Sequence, residues 1–289
     1  MSDVPASGEP VSGTPAGFTP KLLALDIDGT LFVPHPDTGF SDDEVSPTVR
    51  AAIDDAVAAG CHVVLASGRS PLSMSTVLRH LDLPRDLHTG GQALVVASNG
   101  AVTFSFPPMK VISEVTFDAR PAVEAVLEHV PDAMVAVEEH GVGYRVNRHF
   151  PDGELDGEII LTPVDDLVAR EVSRVIIRDP ESTPEDFVAL AERLGLQGTN
   201  YFIGWTAWLD LAPEGVSKAS GLEEVCARLG VAAEHVLAIG DGRNDIEMLR
   251  WAGRGVAMGQ APAEVKAAAD AVTLPVEEDG AAVEIRRWF

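Results

Sequence analysis

Positive charge is what this chain has least of. Its 289 residues carry 21 lysines and arginines against 45 aspartates and glutamates, a formal charge of −24. That excess would repel the phosphates of nucleic acid and an anionic membrane surface, so neither is expected as a partner. An anionic ligand must be drawn in by local positive charge or by metal, against the global field. Lysine is scarcest, with only Lys21, Lys110, Lys218 and Lys266, so a lysine standing beside other polar motifs is informative. Cysteine is nearly absent. Cys61 and Cys226 lie in apolar segments and read as buried thiols, as in a cytoplasmic protein without disulfides. No stretch approaches the roughly 20 apolar residues of a membrane helix. Residues 1–20 are rich in Pro, Gly and Ser, lack the basic start and apolar run of a signal peptide, and read as a disordered tail. A soluble, intracellular protein is expected.

What is there is enough to fold. At 46% hydrophobic residues the chain can bury one full core, and its length allows two. From Lys21 short apolar runs alternate with amphipathic stretches: strand 22–26, helix 47–59, strand 61–66, helix 71–81, and an apolar strand over Ala93–Ala97 before Ser98-Asn99-Gly100. The alternation returns late, with helix 217–229, strand 235–239, helix 244–252, strand 254–257, helix 262–269, strand 271–273 and a last helix near 279–287. Strands alternating with helices predict a doubly wound parallel α/β sheet covered on both faces, a Rossmann-like core. Between about 107 and 206 the rhythm changes: strand 111–117, helix 119–130, then strands 133–138 and 142–147 turning at Glu139-His140-Gly141. A loop, strand 172–178, helix 183–194 and strand 199–205 follow. This pattern predicts an inserted α+β cap domain with an antiparallel sheet over 107–206, between core segments 21–106 and 207–289.

Four polar segments interrupt these apolar runs: Asp26-Ile27-Asp28-Gly29-Thr30, Ser67-Gly68-Arg69, Lys218, and Gly240-Asp241-Gly242-Arg243-Asn244-Asp245. A buried strand should not end in two carboxylates. Asp26 and Asp28 are two apart, so on an extended chain they point to one side and raise one another's pKa unless a cation intervenes. Asp26, Ser67 and Asp241 each fall at the carboxyl end of a strand, where sheets of this kind bind ligands. An ionised Asp26 can attack phosphorus if its charge is screened, and Mg²⁺ with oxygen ligands would screen it. Asp28 could protonate the leaving alcohol and then deprotonate a water. Ser67 and Gly68 offer a hydroxyl and an N–H to phosphate, Lys218 a positive charge, and Asn244 an amide at a helix start. Asp245 is read as capping that helix or orienting Lys218.

Each piece has a plainer reading. Asp26 and Asp28 could be turn residues, or open a calcium loop, but no Gly stands at its sixth position and no Glu at its twelfth. Ser67-Gly68-Arg69 is a common strand-to-helix turn. Lys218 alone would be a solvated helix residue, and Asn244 a simple N-cap. The histidines lack metal-ligand spacing. Trp205 and Trp208 read as hinge or core packing, and His140, Tyr144 and Arg145 as cap surface.

Together and in this order, the four segments resemble the motifs of the haloacid dehalogenase superfamily of aspartate-based phosphatases. About 38 residues separate the first from the second, and about 150 separate Gly68 from Lys218. That puts the cap between the second and third motifs, and the run Gly-Asp-Gly-Arg-Asn-Asp-Ile-Glu-Met-Leu looks like the Cof-like branch, mostly sugar-phosphate phosphatases. Sucrose-phosphate phosphatase and phosphomannomutase are relatives of it. The resemblance implies nucleophile Asp26, acid/base Asp28, phosphate ligands Ser67, Gly68, Lys218 and Asn244, and Mg²⁺ held by Asp26, Asp241 and Asp28, the last as an outer or backbone ligand. Loop 33–46 departs from the usual pattern, being longer and more acidic. The expected function is Mg²⁺-dependent hydrolysis of a small phosphorylated metabolite, a sugar phosphate, by a monomer or weak homodimer. The alternatives are a phosphomutase or phosphotransferase using the same aspartate, and a non-catalytic phosphometabolite-binding regulator.

Overall fold

The computed structural model describes residues 17–33, 44–81, 91–179, 181–183 and 208–289, together with 186, 189–190, 194 and 199–203. Most of the expected tail, most of loop 33–46, much of helix 183–194 and Trp205 lie outside the described residues. The chain opens with β1 (Leu22–Leu25), β2 (His62–Ala66) and β3 (Ala93–Ala97), then a hairpin of β4 (Val102–Phe106) and β5 (Lys110–Glu114). It next builds β6 (Met134–Glu139), β7 (Gly143–Val146), β8 (Glu158–Leu161), β9 (Val175–Arg178), β10 (Thr199–Ile203) and β11 (Trp208–Pro213). It ends with β12 (Val236–Gly240), β13 (Arg254–Ala257) and β14 (Ala271–Val272).

These form two sheets. The larger has order β14-β13-β12-β1-β2-β3-β4-β5, parallel except for β4 and β5. β1 lies inside it and both its faces are buried, as its unbroken apolar run requires. Leu23 and Leu25 pack with Ile53, Met74 and Ile285 on one side. Leu22 and Ala24 pack with Leu222, Val225 and Met248 on the other. Each such leucine contributes about 1.5–3 kcal/mol by leaving water. Ser46 starts the helix Pro47–Ala58 by accepting the Val49 N–H at 3.1 Å, with proline at the first helical position, where no N–H is needed.

The smaller sheet has order β10-β11-β9-β6-β7-β8 and is antiparallel except for β7–β8. The helix Arg120–His129 covers it through Ala122, Val123 and Val126. The chain is thus an α/β core carrying an inserted α+β unit. Sheet membership changes after Glu114 and after Pro213, several residues beyond the expected 107 and 206. The reason is pairing: β5 adds to the large sheet beside β4, whereas Leu209 and Leu211 of β11 fill the small sheet's own core. The expected loop after β7 also contains β8 and the one-turn helix Val164–Leu167.

Candidate active site

The carboxyl end of β1 delivers Asp26 while it is still paired in the sheet, its N–H donating to Ile239 O at 3.0 Å. The chain then turns over Ile27, whose carbonyl accepts from Thr30, Leu31 and Phe32 at 3.2, 2.8 and 2.9 Å. Gly29 makes the turn at φ +80°, and a Cβ there would overlap the Asp241 carboxylate, so only glycine meets both demands. Asp241 arrives from the end of β12, the parallel neighbour of β1. Oxygens of Asp26, Asp241 and Asp245, all three buried, lie within 4.8 Å of one another. Lys218, the first residue of the helix Lys218–Leu229, has no exposed surface. Its Nζ donates to Asp26 Oδ1 at 2.5 Å and to Asp245 Oδ1 at 2.6 Å. The other oxygen of Asp245 accepts the N–H groups of Asp241 and Gly242, both at 2.9 Å. Asp245 therefore orients the lysine and ties down the loop after β12.

Three carboxylates surround one ammonium, so negative charge is in surplus. Burial and then the Asp245 charge push Asp26 up to about 7, against the opposing pull of Lys218. Burial, Asp26 and Asp245 likewise hold Asp241 well above the usual carboxylate range. An all-oxygen set with surplus negative charge fits a hard divalent cation such as Mg²⁺.

Asp28 goes elsewhere. Because the chain turns after Ile27, its carboxylate leaves the cluster and takes Arg69 in a fork, Nε to Oδ2 at 2.8 Å and Nη2 to Oδ1 at 2.6 Å. Its charge is a lesser cause of the raised Asp26 value, behind burial and the Asp245 charge. Ser67 is buried at the end of β2, and its Oγ accepts the Arg69 N–H at 3.1 Å. Gly68 lies against the Asn99 side chain, and Asn244 donates to that same side chain at 2.9 Å. The structure thus gathers Asp26, Lys218, Asp241 and Asp245 in one cluster. It joins Ser67, Gly68 and Asn244 through Asn99, and sets the Asp28 carboxylate aside.

Residues 23–285 match the haloacid dehalogenase-like hydrolase family. The chain belongs to that family. The hydrolase is 30% identical to YkrA of Bacillus subtilis, covering 92% of this chain and 96% of that one. It is 31% identical to the phosphoglycolate phosphatase of Natronomonas pharaonis, over 89% and 93%. Among solved structures, the HAD subclass IIB sugar phosphatase BT4131 superposes with a TM-score of 0.74 at 25% identity, covering 93% and 98%. Those relatives place the hydrolase among the phosphatases.

Three residues of the hydrolase's site escaped the sequence reading. Gln260 donates to the Gly29 carbonyl, bonds Asp241, and accepts the Val276 N–H at 3.1 Å, bracing the turn from behind. Asp210 and Asn99 meet at 3.0 Å across 111 residues of sequence. Asn99 had a signal: it follows β3 as Ser67 follows β2. Gln260 had a weaker one, as the first polar residue after the run Gly255-Val256-Ala257-Met258-Gly259, and Asp210, inside the apolar run of β11, had none.

Proposed function

We propose that the hydrolase cleaves a small phosphomonoester, a sugar phosphate, through a phosphorylated Asp26. The observation that carries this reading is a fully buried lysine shared between Asp26 and Asp245, with Asp241 beside them at the carboxyl ends of the strands. Lys218 holds Asp26 Oδ1 and favours its ionised form, leaving Oδ2 to attack phosphorus. The phosphorus–oxygen ester bond breaks, and the leaving alkoxide takes a proton from Asp28. A water then attacks the aspartyl-phosphate and gives its proton to Asp28, releasing orthophosphate and restoring Asp26. In the conformation described, Arg69 contacts both oxygens of Asp28, so proton transfer requires that fork to open.

Ser67, Gly68, Lys218 and Asn244 hold the phosphoryl oxygens. Mg²⁺ would be held by Asp26 and Asp241, with Asp28 as an outer or backbone ligand. Bound there, Mg²⁺ supplies positive charge that screens nucleophile from substrate in an acidic protein. The cap excludes bulk water and selects the leaving group. A sugar as leaving group is supported by the likeness to BT4131.

The test is phosphate release from a panel of phosphate esters, with and without Mg²⁺. We expect Mg²⁺-dependent turnover on sugar phosphates and a loss of at least about a thousandfold in Asp26→Asn. Retained hydrolysis in that variant, or an isomerised product without free phosphate, overturns the reading.

A further inference from the structure

Asn99 sits just after β3 with a left-handed backbone (φ 53°) and is almost wholly buried. Its Nδ2 donates to Asp210 Oδ2 on β11 at 3.0 Å, and its Oδ1 accepts from Asn244 Nδ2 at 2.9 Å. Its main-chain N–H donates to Ser67 O at 3.1 Å, and a Cβ on Gly68 would stand 3.0 Å from its Oδ1. One residue thus links a strand of the cap to Ser67, Gly68 and Asn244, the proposed phosphate ligands. Asp210 is in turn gripped by Arg174, Nε to Oδ1 at 2.9 Å and Nη2 to Oδ2 at 2.8 Å, with both side chains buried.

The direction of every bond in this chain is forced. A carboxylate paired with a guanidinium accepts hydrogen bonds and does not donate them. Asn99 must therefore turn Nδ2 to Asp210, which leaves Oδ1 for Asn244. An acceptor at that point admits only the Nδ2 end of Asn244, whose Oδ1 is packed against Gly242. Asn244 keeps a second N–H on Nδ2 to offer an anion. Flipped, it would turn a carbonyl oxygen toward phosphate oxygens and repel them.

We propose that Asn99 is a positioning residue that carries hydrogen-bond polarity from Asp210 of the cap to Asn244, fixing which end of the Asn244 amide faces the phosphate. The inference rests on the phosphatase reading, in which Asn244 holds phosphate. It makes the cap sheet a determinant of phosphate affinity as well as of leaving-group choice.

A polarity swap tests it. Asn99→Asp keeps the side chain's shape and tolerates the left-handed backbone, but sets a carboxylate against Asp210. Repulsion from Asp210 draws the new carboxylate off Asn244 and frees that amide to flip; adding Asp210→Asn supplies an amide donor that returns the carboxylate to its place, where it again accepts from Asn244. The readout is the dissociation constant of inorganic phosphate by calorimetry in Mg²⁺ buffer, beside KM and kcat on the best ester. Asn99→Asp is expected to weaken phosphate binding about tenfold, and the double variant to return within about threefold of wild type. A single variant that binds like wild type, or a double variant no better than the single, overturns the relay. If Asn99→Asp does not fold by circular dichroism, Asn99→Gly keeps the backbone and deletes the amide. A tenfold loss there supports the relay and wild-type binding overturns it. Wild-type protein that binds phosphate yet hydrolyses no ester overturns the phosphatase reading alone, and protein that binds no phosphate overturns both.

Discussion

At Gly29 a single hydrogen atom decides whether the carboxylate cluster can exist. Its φ of +80° excludes most side chains, and any Cβ would strike the Asp241 carboxylate. Gly29→Ala is therefore expected to lower stability by about 1–3 kcal/mol and also to displace Asp241. Thermal melting would measure the first effect and Mg²⁺ titration the second, with the affinity loss exceeding what the melting shift alone explains. Asp28 shows the opposite case, a residue whose sequence position misleads. Two-residue spacing puts it beside Asp26 only while the chain is extended, and the turn over Ile27 ends that extension one residue too early. Glycine at position 29 was visible in the sequence as a turn residue. Its contact with Asp241, 212 positions away, was not.

Strand ends and helix starts do most of the assembling. Ser98-Asn99-Gly100 follows β3, and Gly100, at φ +101°, lies so close to Ser217 O that a Cβ would overlap it. Ser217 precedes the helix whose first residue is Lys218. Gly100→Ala should thus push that helix away, with a stability loss of about 2–4 kcal/mol and a fall in kcat greater than any change in KM. Chemical denaturation and steady-state kinetics on the folded fraction would check both. Elements with a strong period were legible: the helix Pro71–Leu81 and strands β3 and β13 lie where the sequence puts them. β8 and β11 were not. Glu158–Leu161 is mostly exposed and owes its strand form to pairing with β7, and Trp208–Pro213 to its place between β9 and β10.

For the whole molecule, the charge of −24 and the buried carboxylates act together. Asp26 folds from an ordinary 3.8 to about 7, so the native state holds its proton more tightly than the unfolded chain. Stability without metal should therefore fall as pH rises from about 4 to about 7, because the folded state binds the extra proton across that window. Mg²⁺ needs the ionised carboxylates, so its stabilising effect should grow in the same direction. Melting curves at pH 5 and pH 8, with and without MgCl₂, check this: a larger Mg²⁺ shift at pH 5 would contradict it. The chain also interrupts its large sheet after β5 to build a second one, then returns through β11, which ends five residues before Lys218. An insertion of that kind behaves in descent like a transplant, free to diverge while the recipient keeps its chemistry. Asp210 is one place where this graft is sutured to its host, and Glu138, accepting from Ser98 at 2.8 Å, is another. A cap borrowed from a relative should take only if the donor brings an acceptor to position 210.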